Sequence, residues 1–91
     1  MKELEIEFNK KCDLAFKKLK EKHKSKLTFG NPLTDMVNNM HIYSQLMKET
    51  NGKVVEIVNS IYDESQKKIA ITLAQNKMRE FLPEMKSFIG L

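Results

Sequence analysis

Apolar residues recur at spacings of three and four along nearly the whole chain, and the register of that recurrence is broken at two places. Spacing of this kind places side chains on one face of an α-helix, about 100° of rotation per residue, and is incompatible with the period-two alternation of a half-buried strand. In the first segment Leu4, Phe8, Cys12, Ala15, Phe16 and Leu19 fall within roughly 120° of one another, with Ile6 and Leu14 off the stripe. Glu3, Glu5 and Glu7 stand near the start of that segment and Lys17 to Lys26 near its end, an order that complements the helix dipole. The spacing predicts a helix over residues 2–25.

The first break is LTFGNPLT. Pro32 disfavours helical geometry at Asn31, and Asn31 as N-cap with Pro32 in the first helical position is a start signal; Thr34 is an alternative cap. A second stripe then runs through Leu33, Met36, Val37, Met40, Tyr43, Met47, Val54, Val58 and Ile61. Asn51-Gly52 is a turn signal, and Val54–Val58 has strand-like composition. The stripe nevertheless keeps its phase across Gly52, which favours one long helix over 32–62 to two helices hinged there. The glycine costs about 1 kcal/mol relative to alanine. At Tyr62-Asp63-Glu64-Ser65 the phase changes by about half a turn. Asp63 and Gln66 have capping-box spacing, and Ala70, Ile71, Ala74, Met78, Phe81, Leu82, Met85 and Ile89 form a third stripe. It predicts a helix over 65–89, kinked or stopped near Pro83, with Gly90 as a terminal cap.

The expected fold is all-α: three amphipathic helices in an antiparallel bundle or helical hairpin, forming one domain over residues 1–91. A hairpin this long in a small chain leaves apolar surface over, so self-association is expected.

Charge narrows the function classes. Residues 1–26 hold nine lysines against five acids, and the rest of the chain is balanced, so the whole net charge of +4 lies on this first segment. Phe16 to Lys26, FKKLKEKHKSK, holds six lysines in eleven residues. These encircle the polar side rather than forming a row, with Lys17 and Lys20 within pairing reach of Asp13 and Glu21. The two phenylalanines of this helix lie on its apolar face, not between lysines as base-stacking platforms would, and the only arginine is Arg79. The ordinary reading is a solvated back. The alternative is an anion-binding face of Lys17, Lys18, Lys20, Lys22, Lys24 and Lys26, for nucleic acid or a small anionic ligand such as a nucleotide.

Catalysis finds little support. Cys12 sits on the apolar stripe, His23 lies three turns further on at its edge, and His41 belongs to another helix. No Cys-x-x-Cys, His-x-x-x-His, calcium loop or glycine-rich phosphate loop occurs. We expect no cofactor and no metal. A lone cysteine and an acidic MKELEIEF start, without a leader's apolar run, lead us to expect a cytoplasmic protein; no stretch approaches the roughly 18 apolar residues of a membrane span.

Methionine is the remaining unusual feature, because it repacks around varied partners. The sequence therefore points to a small non-enzymatic binding protein (adaptor, chaperone, inhibitor or immunity-type factor) acting through protein–protein contacts or self-association. Its candidate contact residues are Met36, Met40 and Met47 of the second stripe and Phe81, Met85 and Phe88 of the third, where Phe81, Leu82, Phe88, Ile89 and Leu91 make the C-terminus apolar on more than one side. Asn31-Pro32 ahead of the Tyr43-bearing helix is similar to the small helical rod proteins of secretion systems, though their chains end after that helix. Phe29 to Pro32 resembles the start of phage-encoded helical sponges for cyclic nucleotides, whose Tyr-His pair and late tryptophan have no counterpart here. No functional residue carries over from either.

Overall fold

The computed structural model describes residues 2–90. Three helices, α1 (Lys2–Lys24), α2 (Pro32–Asn59) and α3 (Glu64–Phe88), each pack on both others in a rod 49 × 17 × 16 Å. Cross-contacts fix the directions. Lys22 of α1 meets Glu49 of α2 and Thr28 meets Asn39, so α1 and α2 are antiparallel. Phe16 meets Phe81 and Asp13 meets Lys77, so α1 and α3 are parallel.

The boundaries have local causes. The Asn31 side chain accepts from the Thr34 backbone N–H, with Pro32 in the first turn, so Asn31 and not Thr34 is the cap. Asp63 accepts from the backbone N–H groups of Ser65 and Gln66. α2 is unbroken at Gly52. It stops at Asn59, three residues short of the expected end, where the Ser60 hydroxyl donates to the Ile57 carbonyl at 2.7 Å and Ser60 N–H bonds back to Glu56. Ile61 keeps the stripe's phase but lies half-buried in the turn. α3 does not stop at Pro83, where a kink or stop was expected; it continues to Phe88. Proline removes one backbone donor, orphaning the Arg79 carbonyl, but Pro83 and Arg79 are both exposed, so water can serve that carbonyl. Buried Met85 and Ile89 hold the last turns to the bundle. Gly90 follows at φ +85°, the left-handed cap that glycine adopts without strain.

The core joins Phe8, Cys12, Phe16 and Leu19 of α1 to Leu46, Val54 and Val58 of α2 and to Ala70, Phe81 and Met85 of α3. Phe16 and Phe81 stack with ring centroids 4.2 Å apart. Ile6 and Leu14 are exposed, as their place off the stripe implies.

The second stripe needs correction. Its latter part, Val54 and Val58, is buried, but Leu33, Met36, Val37 and Met40 face solvent. The buried row of α2 is instead Asn39, Ile42, Leu46, Thr50, Val54 and Val58. From Ile42 onward these are four residues apart, and a four-residue row winds about 40° round a helix per step, roughly 160° from Ile42 to Val58. Leu33, Met36 and Met40 lie within about 40° of Val58 on a fixed helical wheel, so they look coplanar with the core. The face that α2 turns inward has rotated away from them by the time the helix reaches its N-terminal end.

Candidate functional site

The connection between α1 and α2 is tied down by polar side chains of α2. Asn39, almost fully buried, accepts from Thr28 N–H at 3.1 Å and donates to the Thr28 carbonyl at 2.9 Å, pairing with that backbone as a neighbouring strand would. Asn38 donates to the Lys26 carbonyl at 3.0 Å. Asp35 accepts from the N–H groups of Gly30 and of Asn31, the latter at 2.7 Å. The Thr28 hydroxyl first, and then the Gly30 and Asn31 amides, hold the Asp35 carboxyl below its ordinary value against a smaller effect of burial.

This network fixes Phe29. Its ring lies against Gly90, where an added Cβ would approach Phe29 Cε1 to 3.1 Å, so the glycine supplies both the positive φ and the space. Phe29, Pro32, Met36 and Met40 of this end meet Ile89 and Gly90 of the α3 terminus around a cleft of about 240 Å³. Leu33 and Val37 line the adjoining cleft with His41. Phe29 is 70% exposed, Leu33 74%, Met36 57%, Val37 69% and Met40 42%. Together these side chains show water roughly 600 Å², the upper end of the range for the largest apolar patch on an ordinary monomer.

Met36 and Met40, two expected contact residues, thus belong to one exposed surface. The sequence reading missed Phe29, Leu33 and Val37 as members of it. A signal for them exists: 31% of the chain is charged, yet Leu27 to Met47 contain one charged residue, Asp35. Depletion of charge with enrichment in Met and aromatic residues marks interface cores. The other expected contact residues are elsewhere. Phe81 is 3% exposed and Met85 0%, so both are core and have no surface to offer a partner. Met47 and Phe88 are half-buried against the core. Leu91 lies outside the described residues.

The lysines of α1 do not converge. Lys22 reaches Glu49 at 3.2 Å, and Lys20 sits 4.6 Å over the Phe16 ring. Lys17, Lys18, Lys24 and Lys26 are exposed and make no ion pair among the described residues. The lysines within α1 spread over roughly 200° of its surface. Asp13 pairs not with Lys17 but with Lys77 of α3, at 2.8 Å. Burial opposes the Lys77 charge, but Asp13 and Glu80 outweigh it and raise the ammonium above its ordinary value.

The groups able to do chemistry are dispersed. Cys12 is fully buried, and burial pushes its thiol up to about 11, Asp13 adding to the effect and Lys77 opposing it, so it holds its proton at neutral pH. His23 is 1% exposed; its Nε2 lies 3.3 Å from Glu49, while its Nδ1 and the Thr50 hydroxyl make no hydrogen bond within the protein. Burial pushes the Glu49 carboxyl up, but the Lys22 and His23 hydrogen bonds overcome this and hold it below its ordinary value. His41 is exposed beside Gln45. Among the described residues no three His, Cys, Asp or Glu side chains gather as metal ligands, and no helix is long and apolar enough to cross a membrane. Comparison with protein-family models, with curated proteins and with solved structures finds no match.

Proposed function

We propose that this chain is a non-enzymatic helical binding protein acting through protein–protein contact, and that Phe29, Leu33, Met36, Val37 and Met40 form its contact surface. The observation that carries this reading is the combination at one end of the rod. An apolar row faces water there, charge is all but absent, and the buried Asn39 amide of the same helix anchors the adjoining loop. A patch serving only the fold would be turned inward. This one is displayed on a helix whose opposite face already supplies the core. Two methionines in it suit a surface that adapts to its partner's contours.

The test compares the wild-type chain with a Met36→Lys/Val37→Lys variant as baits in a native pull-down read by mass spectrometry. Both positions are exposed, so the helical circular dichroism and melting temperature are expected to hold while specific capture is lost. Capture that survives in this variant, but disappears when Lys17, Lys18, Lys24 and Lys26 are changed to glutamate and falls steeply with salt, would replace this reading with the anion-binding one.

A further inference from the structure

We infer that the partner of this apolar end is a second copy of the chain, docked two-fold with α2 antiparallel to α2 about an axis near residues 36 and 37. The inference rests on the reading of that end as a contact surface and adds who meets it.

Three observations select a copy. The exposed apolar positions in the first three turns of α2, Leu33, Met36, Val37 and Met40, map onto themselves when the helix is reversed about that axis. Leu33 then faces Met40 of the second copy, and Met36 faces its Val37, so every apolar side chain lands on an apolar one. A two-fold contact requires this self-complementarity. Charge is the second observation. Two chains of +4 repel, and a copy approaching the lysine-rich α1 would meet its own sign. Between Leu27 and Met47 the sole charge is Asp35, whose carboxylate is engaged by Gly30 and Asn31, so like copies meet here without a like-charge contact. The third is area. Full coverage of the α2 row and of Phe29 beside it, roughly 600 Å² in each copy, gives at most about 1,200 Å², the lower limit for a stable interface.

The axis also fixes the shape. It lies at one end of each 49 Å rod, so the two bundles extend away from each other. With an overlap of about ten residues, some 15 Å of helix, the dimer is about 80 Å long.

The experiment combines sedimentation equilibrium with site-directed crosslinking. Cys12 is fully buried, so an introduced thiol is the reactive one. Wild type is expected to dimerise across the micromolar range with little dependence on salt, and Met36→Lys/Val37→Lys to stay monomeric. Val37→Cys, next to the axis, is expected to give a covalent dimer with a short bis-maleimide. Ile6→Cys and Leu14→Cys, at comparably exposed apolar positions of α1, should give the background of the wild type. A wild-type chain monomeric at high micromolar concentration overturns the inference, as does crosslinking at residue 37 no faster than at 6 or 14. If the chain is monomeric yet captures another protein through Met36 and Val37, the self-docking inference fails and the contact-surface reading stands. If it does neither, both fail.

Discussion

The apolar end depends on one buried amide, and replacing Asn39 with alanine tests how far. Asn39 is 5% exposed and makes two hydrogen bonds to the Thr28 backbone, at 3.1 and 2.9 Å. Each contributes about 1 kcal/mol net, and leaving the Thr28 N–H and carbonyl short of partners adds a further penalty, tempered because Thr28 itself is exposed to water. The expected loss is about 2–3 kcal/mol, or roughly 10–20 °C in melting temperature for a domain of this size. Urea unfolding followed by helical circular dichroism gives the free energy, and amide exchange locates it: residues 25–31 should lose protection before the helices do. Asn39→Asp keeps the acceptor for Thr28 N–H but points a carboxylate at the Thr28 carbonyl, so it should be at least as damaging at neutral pH. Asn38→Ala loses an exposed bond to the Lys26 carbonyl and a part-buried one to the Asn39 amide oxygen, which keeps its bond from Thr28 N–H, and should cost about 1 kcal/mol, less than Asn39→Ala. A loss below about 0.5 kcal/mol for Asn39→Ala, or one equal to that of Asn38→Ala, would refute the claim that this amide anchors the connection.

Other expectations follow from single sites. Gly52→Ala should stabilise the chain by about 1 kcal/mol in urea unfolding, because the helix is continuous there and an added Cβ meets nothing within 4 Å. Thr50→Val should stabilise by about 1 kcal/mol in the same assay, since it replaces a buried hydroxyl that has no hydrogen bond in the protein with a methyl group. Asp35 and Glu49 are held below their ordinary values of 3.8 and 4.5, so their contribution is complete above those values and disappears as pH falls through the lower folded values. The urea midpoint should therefore drop on acidification below about pH 4.5, and less in an Asp35→Asn/Glu49→Gln variant.

Much of the fold is legible in the residues because it follows from local chemistry. The Asn31-Pro32 start, the Asp63 cap, the Gly90 stop and the α1 stripe each depend on neighbours within a turn or two. Gly52 is passed over because one weak residue does not outweigh the apolar row on either side. The inward face of α2 is harder to read, for two physical reasons. Two of its members, Asn39 and Thr50, are polar, so a search for apolar stripes passes over them. The row also winds across the helix to meet two neighbours, and a fixed wheel cannot follow it. The same fixed wheel obscures part of the exposed surface: it puts Leu33 and Val37 on one stripe with the buried Val54 and Val58, and only the methionines among them stand out as contact candidates. The place of Phe29 depends on the hydrogen bonds between Asn39 and the Thr28 backbone, eleven residues apart, which spacing does not encode, whereas the near absence of charge from Leu27 to Met47 is plain in the sequence. Phe81 and Met85 illustrate the converse, since an apolar C-terminus alone does not say which side chains close the bundle.

α2 turns two apolar faces in different directions, one into the core and one into solvent. The methionines report on both. Hydroxyl-radical footprinting of the dilute chain, with oxidation at the five methionines from Met36 onward read by mass spectrometry, should find Met36 and Met40 reacting fastest of these, Met47 and Met78 slower, and Met85 slowest, with Met36 and Met40 becoming protected at high protein concentration or with a captured partner. Met36 and Met40 as slow as Met85 in the dilute chain would contradict the account.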